Sequence, residues 1–169
     1  IPSTLGRLPK LTYMYASNTD IVGDLSFMQG PELWPNLVEL WMDHNPELTG
    51  SLPSDLGSYS NIKSLSFVNC GLSGPLPDSL GDLVELKKFW VYGNQLSGAI
   101  PSGLDNLKFL EYFQVEDNNL TGTIPDAVGQ LKVPFGDLVN LHADCPDEVV
   151  CNTCTCCGPD CKNIPLRRL

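Results

Sequence analysis

The sequence predicts an α/β-type repeat solenoid, in which each stacked unit contributes one short parallel strand and one short 3₁₀ or extended segment. The main observation is a recurring unit of 24 residues, because SGPLPDSLGDLVELKKFWVYGNQL (73–96) is followed by SGAIPSGLDNLKFLEYFQVEDNNL (97–120). Apolar residues alternate over a few positions of each unit, as they do in a strand. A unit of this size is too small to bury its own apolar face, so stacking has to supply the core.

The units align in columns along the chain. Three kinds of residue hold fixed positions in this frame, namely an apolar residue, a proline and an asparagine. They are Leu80, Leu104 and Val128; Pro77, Pro101 and Pro125; and Asn94 and Asn118. Upstream, the segments around Leu65 and Leu40 fit the same frame, the second with one inserted residue, whereas the unit around Met14 is looser.

The shared pattern, LxxLxxLxLxxNxLxGxIPxxLGxL, resembles the plant-type leucine-rich repeats, of which the GxIPxxLG half is typical. The resemblance covers residues 1–143 with about five to six units. It implies a leucine-rich-repeat horseshoe with a parallel β-sheet on the concave face and short 3₁₀ or extended segments on the convex face. We therefore divide the chain into a repeat solenoid, residues 1–143, and a cysteine-rich C-terminal cap and tail, residues 144–169.

The asparagine column predicts how the chain leaves each strand. A buried amide must satisfy its hydrogen-bonding groups, and the backbone groups of neighbouring turns can do so. Cys70 takes the asparagine position in the third unit, and Thr19 takes it in the first. The resembled family accepts cysteine there, so we expect Cys70 to be a buried free thiol. A reactive cysteine is the alternative, which the lack of a nearby histidine or basic residue disfavours.

The two ends of the predicted solenoid differ. Ile1 begins partway through a unit and no capping pattern precedes the repeats, so we expect the N-terminal end to be incomplete. Near the C-terminus, six cysteines lie within 17 residues and permit three disulfides. The disulfide candidates are Cys145, Cys151, Cys154, Cys156, Cys157 and Cys161. A zinc site is the alternative. This segment also resembles the cysteine-rich ends of leucine-rich-repeat proteins in diatoms and related algae.

Asn119 opens the sequon Asn-Leu-Thr and is a glycosylation candidate. The alternative is that Asn119 and Thr121 merely fill variable positions of the repeat. Disulfides form in oxidising compartments, and the resembled repeat subclass is mostly extracellular. Together these features predict a secreted or cell-surface glycoprotein.

Composition and spacing argue against catalysis, metal binding and nucleic-acid binding. The net charge is -10, whereas nucleic acid and anionic lipid both attract clustered basic residues. No stretch approaches the roughly 18 apolar residues of a membrane span. The two histidines, His44 and His142, lie about four units apart, so no Ser/His/Asp set is expected to converge. No run matches a calcium loop or a phosphate loop, and we expect no enzyme activity, cofactor or metal.

A surface is therefore the remaining candidate for function. If the LxL positions face the core, the residues beside and between them point out of the concave sheet. Six of the 14 aromatic residues fall in these columns, although aromatics that merely support neighbouring strands are the alternative. The predicted partner-binding residues are Tyr13, Tyr15, Glu39, Trp41, Asp43, Lys88, Trp90, Tyr92, Tyr112, Gln114 and Glu116.

These columns predict a non-catalytic recognition or assembly module that binds a protein or peptide on its concave face. Carbohydrate recognition at a cell wall, or inhibition of a wall-degrading enzyme, is the second interpretation, because aromatics beside carboxylates and amides also suit sugar rings. A structural subunit of a larger complex is the third interpretation.

Overall fold

Parallel β-strands in two sheets build the structure, with one strand of each sheet in most units. The computed structural model describes residues 8–29, 34–125, 128, 131, 137–143, 149–150 and 156–157, the last two pairs as backbone only. The strands of the first sheet come from the LxL segments. Those of the second sheet come from the stretch that follows each asparagine of the column.

In the described part of the chain, the first sheet has seven strands. They are β1 (Tyr13–Tyr15), β3 (Glu39–Trp41), β5 (Ser64–Ser66), β7 (Lys88–Trp90), β9 (Tyr112–Gln114), β11 (Asn140–Ala143) and β13 (Cys156–Cys157), in that spatial order. The second sheet has six: β2 (Gly23–Asp24), β4 (Leu48–Gly50), β6 (Gly71–Pro75), β8 (Gln95–Ala99), β10 (Asn119–Thr123) and β12 (Val149–Val150). The 3₁₀ helices span Leu25–Met28, Leu56–Ser58, Asp78–Asp82 and Ser102–Asn106.

Alternation along the strands puts one side of the first sheet into the core. The central residues of five neighbouring strands align in the parallel register and are fully buried. They are Leu40, Leu65, Phe89, Phe113 and Leu141. The rings of Phe89 and Phe113 stack with centroids 5.6 Å apart. Burying one such side chain stabilises the fold by about 1.5–3 kcal/mol, so each unit depends on its neighbours for its stability.

The sequence predicts only short 3₁₀ or extended segments on the side opposite the first sheet. The structure has, in addition, a second β-sheet. Glycines make this sheet possible, because Gly50 and Gly74 have φ of +82° and +79°, where side chains are strained. A Cβ on Gly50 would lie 3.1 Å from the Cβ of Asp24, and one on Gly74 would lie 3.3 Å from that of Ser51. At these two positions of β4 and β6, both the backbone conformation and the close approach of the preceding unit therefore favour glycine.

The predicted asparagine ladder is present. The Asn94 amide nitrogen donates to the carbonyls of Phe67 (2.7 Å) and Val91 (2.9 Å), and its oxygen accepts from the Leu72 N–H at 3.1 Å. Asn118 repeats this pattern one unit later. Each asparagine thus bonds to its own turn and to the preceding one, which fixes the spacing of the two units.

The first two units make the same kind of contacts, with Asn45 in the second unit and Thr19 in the first. Asn45 accepts the N–H groups of Thr19 and Ile21, both at 3.1 Å, and donates to the Ala16 carbonyl at 2.8 Å. Thr19 contributes its own hydroxyl to the Ala16 carbonyl at 2.8 Å. Thr19 therefore takes over part of the asparagine role at this position.

Cys70 is a buried free thiol, as predicted. Its sulfur lies 3.3 Å from the Met42 carbonyl oxygen, where the ladder asparagine of another unit would donate. Burial raises the pKa of the Cys70 thiol, which keeps it protonated and unreactive near neutral pH.

Several predictions fall outside the described residues. Cys145, Cys151, Cys154 and Cys161 lie there, and so do the side chains of Cys156 and Cys157, so their disulfide pairing stays a prediction. In the described part of the chain, no helix has the length and apolar character needed to cross a membrane.

Replacing Asn118 by alanine should lower the free energy of unfolding by about 2–3 kcal/mol, because buried backbone groups of Leu96, Val91 and Val115 lose their partner. Chemical denaturation followed by circular dichroism measures the change. Asn106→Ala, at an exposed position of a 3₁₀ helix, is the matched control and should stay within about 0.5 kcal/mol of the parent chain. Equal effects of the two substitutions would contradict the ladder role.

Iodoacetamide should alkylate Cys70 much more slowly in the native chain than in denaturant at the same pH. The raised pKa leaves little thiolate, and burial blocks the reagent. Mass spectrometry of the peptide that contains Cys70 gives both rates, with the urea-unfolded chain as the internal reference. Equal rates would show that the thiol is accessible in the folded protein.

Candidate binding surface

The outward side of the first sheet is the predicted concave face, and the register aligns its columns. One column holds the first residue of each strand and the other holds the third. They are Tyr13, Glu39, Ser64, Lys88, Tyr112 and Asn140, and Tyr15, Trp41, Ser66, Trp90, Gln114 and His142. Residues that are 24 or more positions apart in sequence thus lie side by side.

Five aromatic rings form one continuous chain across strands β1 to β9. We call Tyr13, Tyr15, Trp41, Trp90 and Tyr112 the aromatic chain. The successive ring centroids lie 6.4, 5.0, 6.2 and 6.0 Å apart. These spacings are typical of interacting aromatic pairs.

Trp41 and Trp90 meet although strand β5 lies between their strands. The two residues of β5 on this side are Ser64 and Ser66, which are 3% and 0% exposed. Their small side chains leave room for the indoles to lie across the strand, and the Trp41 Nε1–H donates to the Ser64 hydroxyl at 2.8 Å. Trp90 is consequently half-buried, and its Nε1 has no hydrogen-bond partner among the described residues.

Sequence reasoning did not single out Ser64 and Ser66 as site residues. They are part of the site because they decide how the tryptophans are oriented. The signal for this role is a unit that has serine in both outward columns between two units that carry tryptophan.

Lysine and tyrosine side chains border the tryptophan pair. The Lys88 ammonium lies 5.5 Å from the Trp90 ring centroid and 5.8 Å from that of Tyr112, within cation–π range. On the other side, Tyr13 and Tyr15 are 54% and 58% exposed, which makes them the most accessible rings of the aromatic chain.

Tyr15 is oriented by its neighbour on β3. Its hydroxyl donates to the Glu39 carboxylate at 2.6 Å. This hydrogen bond raises the pKa of Tyr15 to about 12, so the phenol stays protonated and Glu39 is held by it at neutral pH.

The other predicted acidic residues turn towards the protein. Asp43 accepts from the Ser66 hydroxyl and from the Val68 N–H. Glu116 is only 3% exposed and lies 3.6 Å from Nδ1 of His142. Neither carboxylate is presented to solvent as an isolated charge.

His142 lies on β11, in the C-terminal part of this face. It is 8% exposed, and the Gln114 amide nitrogen lies 3.3 Å from its Nδ1. Burial lowers the pKa of His142, so the ring is neutral at pH 7. Tyr92 and Gln114 are half-buried, so the accessible part of the predicted site is displaced towards β1 and the amino ends of the strands.

The described residues contain no group of three or more His, Cys, Asp or Glu side chains that could hold a metal ion. His142 lies on β11, the sixth strand of the first sheet, and His44 lies just after β3, the second strand. The amide nitrogen of Asn69 lies 3.3 Å from Nδ1 of His44, and that of Gln114 lies 3.3 Å from Nδ1 of His142.

A sequence profile described as Leucine Rich Repeat matches residues 61–83, 85–107 and 109–131. Three successive matches coincide with the units built around β5, β7 and β9. The chain contains leucine-rich repeats. Its fold is a leucine-rich-repeat solenoid, as the sequence predicts. None of the curated protein sequences matches the chain.

Plant receptor structures resemble this leucine-rich-repeat chain closely. A plant peptide hormone receptor, RGFR1 in complex with RGF2, is 27% identical over 90% of this chain, with a TM-score of 0.75. The Arabidopsis receptor kinase HAESA, in complex with the peptide hormone IDA and the co-receptor SERK1, is 28% identical over 89%, with a TM-score of 0.73. This chain spans 23% and 24% of those two chains.

A plant protein of another kind is also similar to this leucine-rich-repeat solenoid. The structure of a plant ice-binding protein is 26% identical over 82% of this chain and 42% of its own, with a TM-score of 0.62. The fold alone therefore does not decide the function, which has to be argued from the surface.

Replacing Glu39 by glutamine should lower the pKa of Tyr15 from about 12 towards its ordinary value of 10.0, because the amide carries no charge. NMR of tyrosine-labelled chain follows the titration, and Tyr15→Phe assigns the signal. Asp78→Asn, which removes the same charge at an exposed site on a 3₁₀ helix, is the control and should leave the titration in place. An unchanged titration in the Glu39 variant would rule out this hydrogen bond as the cause.

Proposed function

We propose that this chain is a non-catalytic recognition module whose concave face binds a protein or peptide partner. The observation that carries the proposal is the aromatic chain, five Tyr and Trp rings in continuous contact on the outward side of the sheet. Tyr and Trp are the residues that most often anchor interfaces. Their strands hold them in place, so little conformational entropy is lost on binding.

The similar structures support a peptide partner. Two of them are receptors solved with peptide hormones, and they are similar over about nine-tenths of this chain. Because the chain spans less than a quarter of each receptor, their activities and partners come to this chain only as part of the proposal.

The exposures indicate which residues touch the partner. Tyr13 and Tyr15 stand out of the sheet, whereas Trp41 and Trp90 form a half-buried floor over β5. We therefore place the centre of the contact at the tyrosines and at the open side of the tryptophan pair. Five strands at about 4.8 Å each give a surface about 25 Å wide, which suits a standard interface of about 800 Å² per partner.

The proposed setting is secreted or cell-surface. Asn119 is exposed at the start of β10, in the second sheet, so a glycan there would not cover the aromatic chain. The cysteine-rich segment, residues 144–169, would cap the solenoid with disulfides in that setting.

Replacing Tyr15 by alanine should weaken binding of a selected peptide by about 2 kcal/mol or more if Tyr15 is an interface anchor. A phage-displayed library of linear peptides selected on the immobilised chain supplies the probe, and calorimetry measures its affinity. Phe109→Ala is the matched control, because Phe109 is an aromatic residue that is 46% exposed and lies off this face, between a 3₁₀ helix and β9.

Circular dichroism and melting curves confirm that both variants fold. Equal losses for the two variants, or selection of no peptide above background, would contradict the proposal. An oligosaccharide array run in parallel tests the carbohydrate interpretation, which binding of sugars without peptides would favour.

A further inference from the structure

The charge of the chain is distributed unevenly along the sequence. The chain carries -10 in total, from 20 Asp and Glu residues against 10 Lys and Arg residues. Residues 11–62 contain seven of these carboxylates and no Lys or Arg, so they hold seven of the ten excess negative charges. The seven are Asp20, Asp24, Glu32, Glu39, Asp43, Glu47 and Asp55. This stretch includes β1 and β3, which carry Tyr13, Tyr15 and Trp41 of the aromatic chain.

The units that follow contain cations as well as carboxylates. Residues 63–143 hold nine carboxylates but also five lysines. On this part of the sheet Lys87 forms an ion pair with Glu111 at 3.1 Å, and the Lys88 ammonium lies over two rings of the aromatic chain. The rings on β1 and β3 therefore belong to the part of the sequence in which no Lys or Arg offsets the negative charge.

Glu39 is the carboxylate that lies beside the exposed tyrosines. The parallel register pairs it with Tyr13, and its Oε2 accepts from the Tyr15 hydroxyl at 2.6 Å. Tyr15, whose pKa is about 12, donates without releasing its proton, so the negative charge stays on Glu39. Among the described residues, no donor bonds to Oε1 of Glu39 and no lysine forms an ion pair with it. Lys10, three positions before β1, is the nearest described cation along the chain, and Arg7 lies outside the described residues.

The rings of Tyr13 and Tyr15 are open to a partner at the same place. Both are more than half exposed, and their planes lie 27° from parallel with centroids 6.4 Å apart. Aromatic faces attract cations, and a guanidinium stacks on a ring while its N–H groups donate to a carboxylate. The two tyrosines and Glu39 thus offer an arginine both an aromatic surface and a charged acceptor.

The surrounding charges favour a basic partner over an acidic one. Asp43 lies two positions after Trp41, and Asp20 and Glu47 are exposed in the turns that lead from β1 and β3 to the second sheet. An acidic segment lying on β1 and β3 would be repelled by these carboxylates, whereas a basic segment would be attracted and oriented by them.

We propose that the partner of this face is a basic peptide, one arginine of which stacks on Tyr13 and Tyr15 and donates to Glu39. This inference rests on the proposed function and adds to it the chemistry of the peptide and the end of the aromatic chain at which its charged residue binds. Because the Lys88 ammonium occupies the rings on β7 and β9, the peptide residues that extend in that direction are uncharged.

The test uses the full chain and the linear peptides selected on it from a random library. The selected peptides should be enriched in Arg. Replacing this Arg by citrulline, which keeps the size and planar shape of the side chain without its charge, should weaken binding to the parent chain about tenfold or more. Glu39→Gln should weaken binding of the Arg peptide by a similar factor. The two changes together should cost little more than either alone, because they remove the same contact.

The control variant is Asp78→Asn, which removes the same charge on a 3₁₀ helix away from this face and should bind as the parent chain does. Added salt should weaken binding of the Arg peptide more than that of the citrulline peptide. Peptides that lose affinity with Tyr15→Ala but show no enrichment in Arg, and that bind the Glu39→Gln variant as tightly as the parent chain, would overturn this inference and leave the proposed function standing. Selection of no peptide at all would overturn both.

Discussion

The structure depends on how the chain turns out of the first sheet at each unit. The residue that makes this turn is buried or half-buried, and its amide bonds to the backbone of its own turn and of the preceding one. Asn94 and Asn118 do so, with contacts of 2.7 to 3.1 Å. Because an unsatisfied buried group costs about 1–3 kcal/mol, this bonding fixes the distance and the register between units. The outward side chains of neighbouring strands therefore align in that register.

Because the register is fixed, the repeat period of the sequence decides which side chains are neighbours on the surface. Side chains that are one unit apart in sequence become neighbours on the sheet, so tyrosines and tryptophans from four strands form the aromatic chain. In the same architecture, where each unit contacts only its neighbours, the two histidines lie far apart, with His44 just after the second strand and His142 on the sixth. A surface that is repetitive in backbone and varied in side chains is suited to recognition, and in the proposed function the variable columns would supply the specificity.

The fold class, the asparagine ladder, the buried thiol at Cys70 and the membership of the outward columns could all be predicted from the sequence. These features depend on contacts within one unit or between adjacent units, so a repeated pattern reports on them directly. The second sheet could be missed because its signal is a glycine at a left-handed position, such as Gly50, rather than an apolar alternation. The sequence predicts the site as a set of columns, but a repeat pattern does not show which residues of those columns are most exposed.

By itself, the sequence determined which side chains leave the sheet and which enter the core, because a strand has a period of two and a unit has a period of 24. Only the tertiary structure decided where those side chains then go. Trp41 and Trp90 lie down across β5 because Ser64 and Ser66 leave space between them. Glu116 is buried, and the Lys88 ammonium lies over the rings of Trp90 and Tyr112. The physical reason is that the strand period decides only on which side of the sheet a side chain lies. The direction in which it then extends depends on the volume and charge of neighbours one and two strands away.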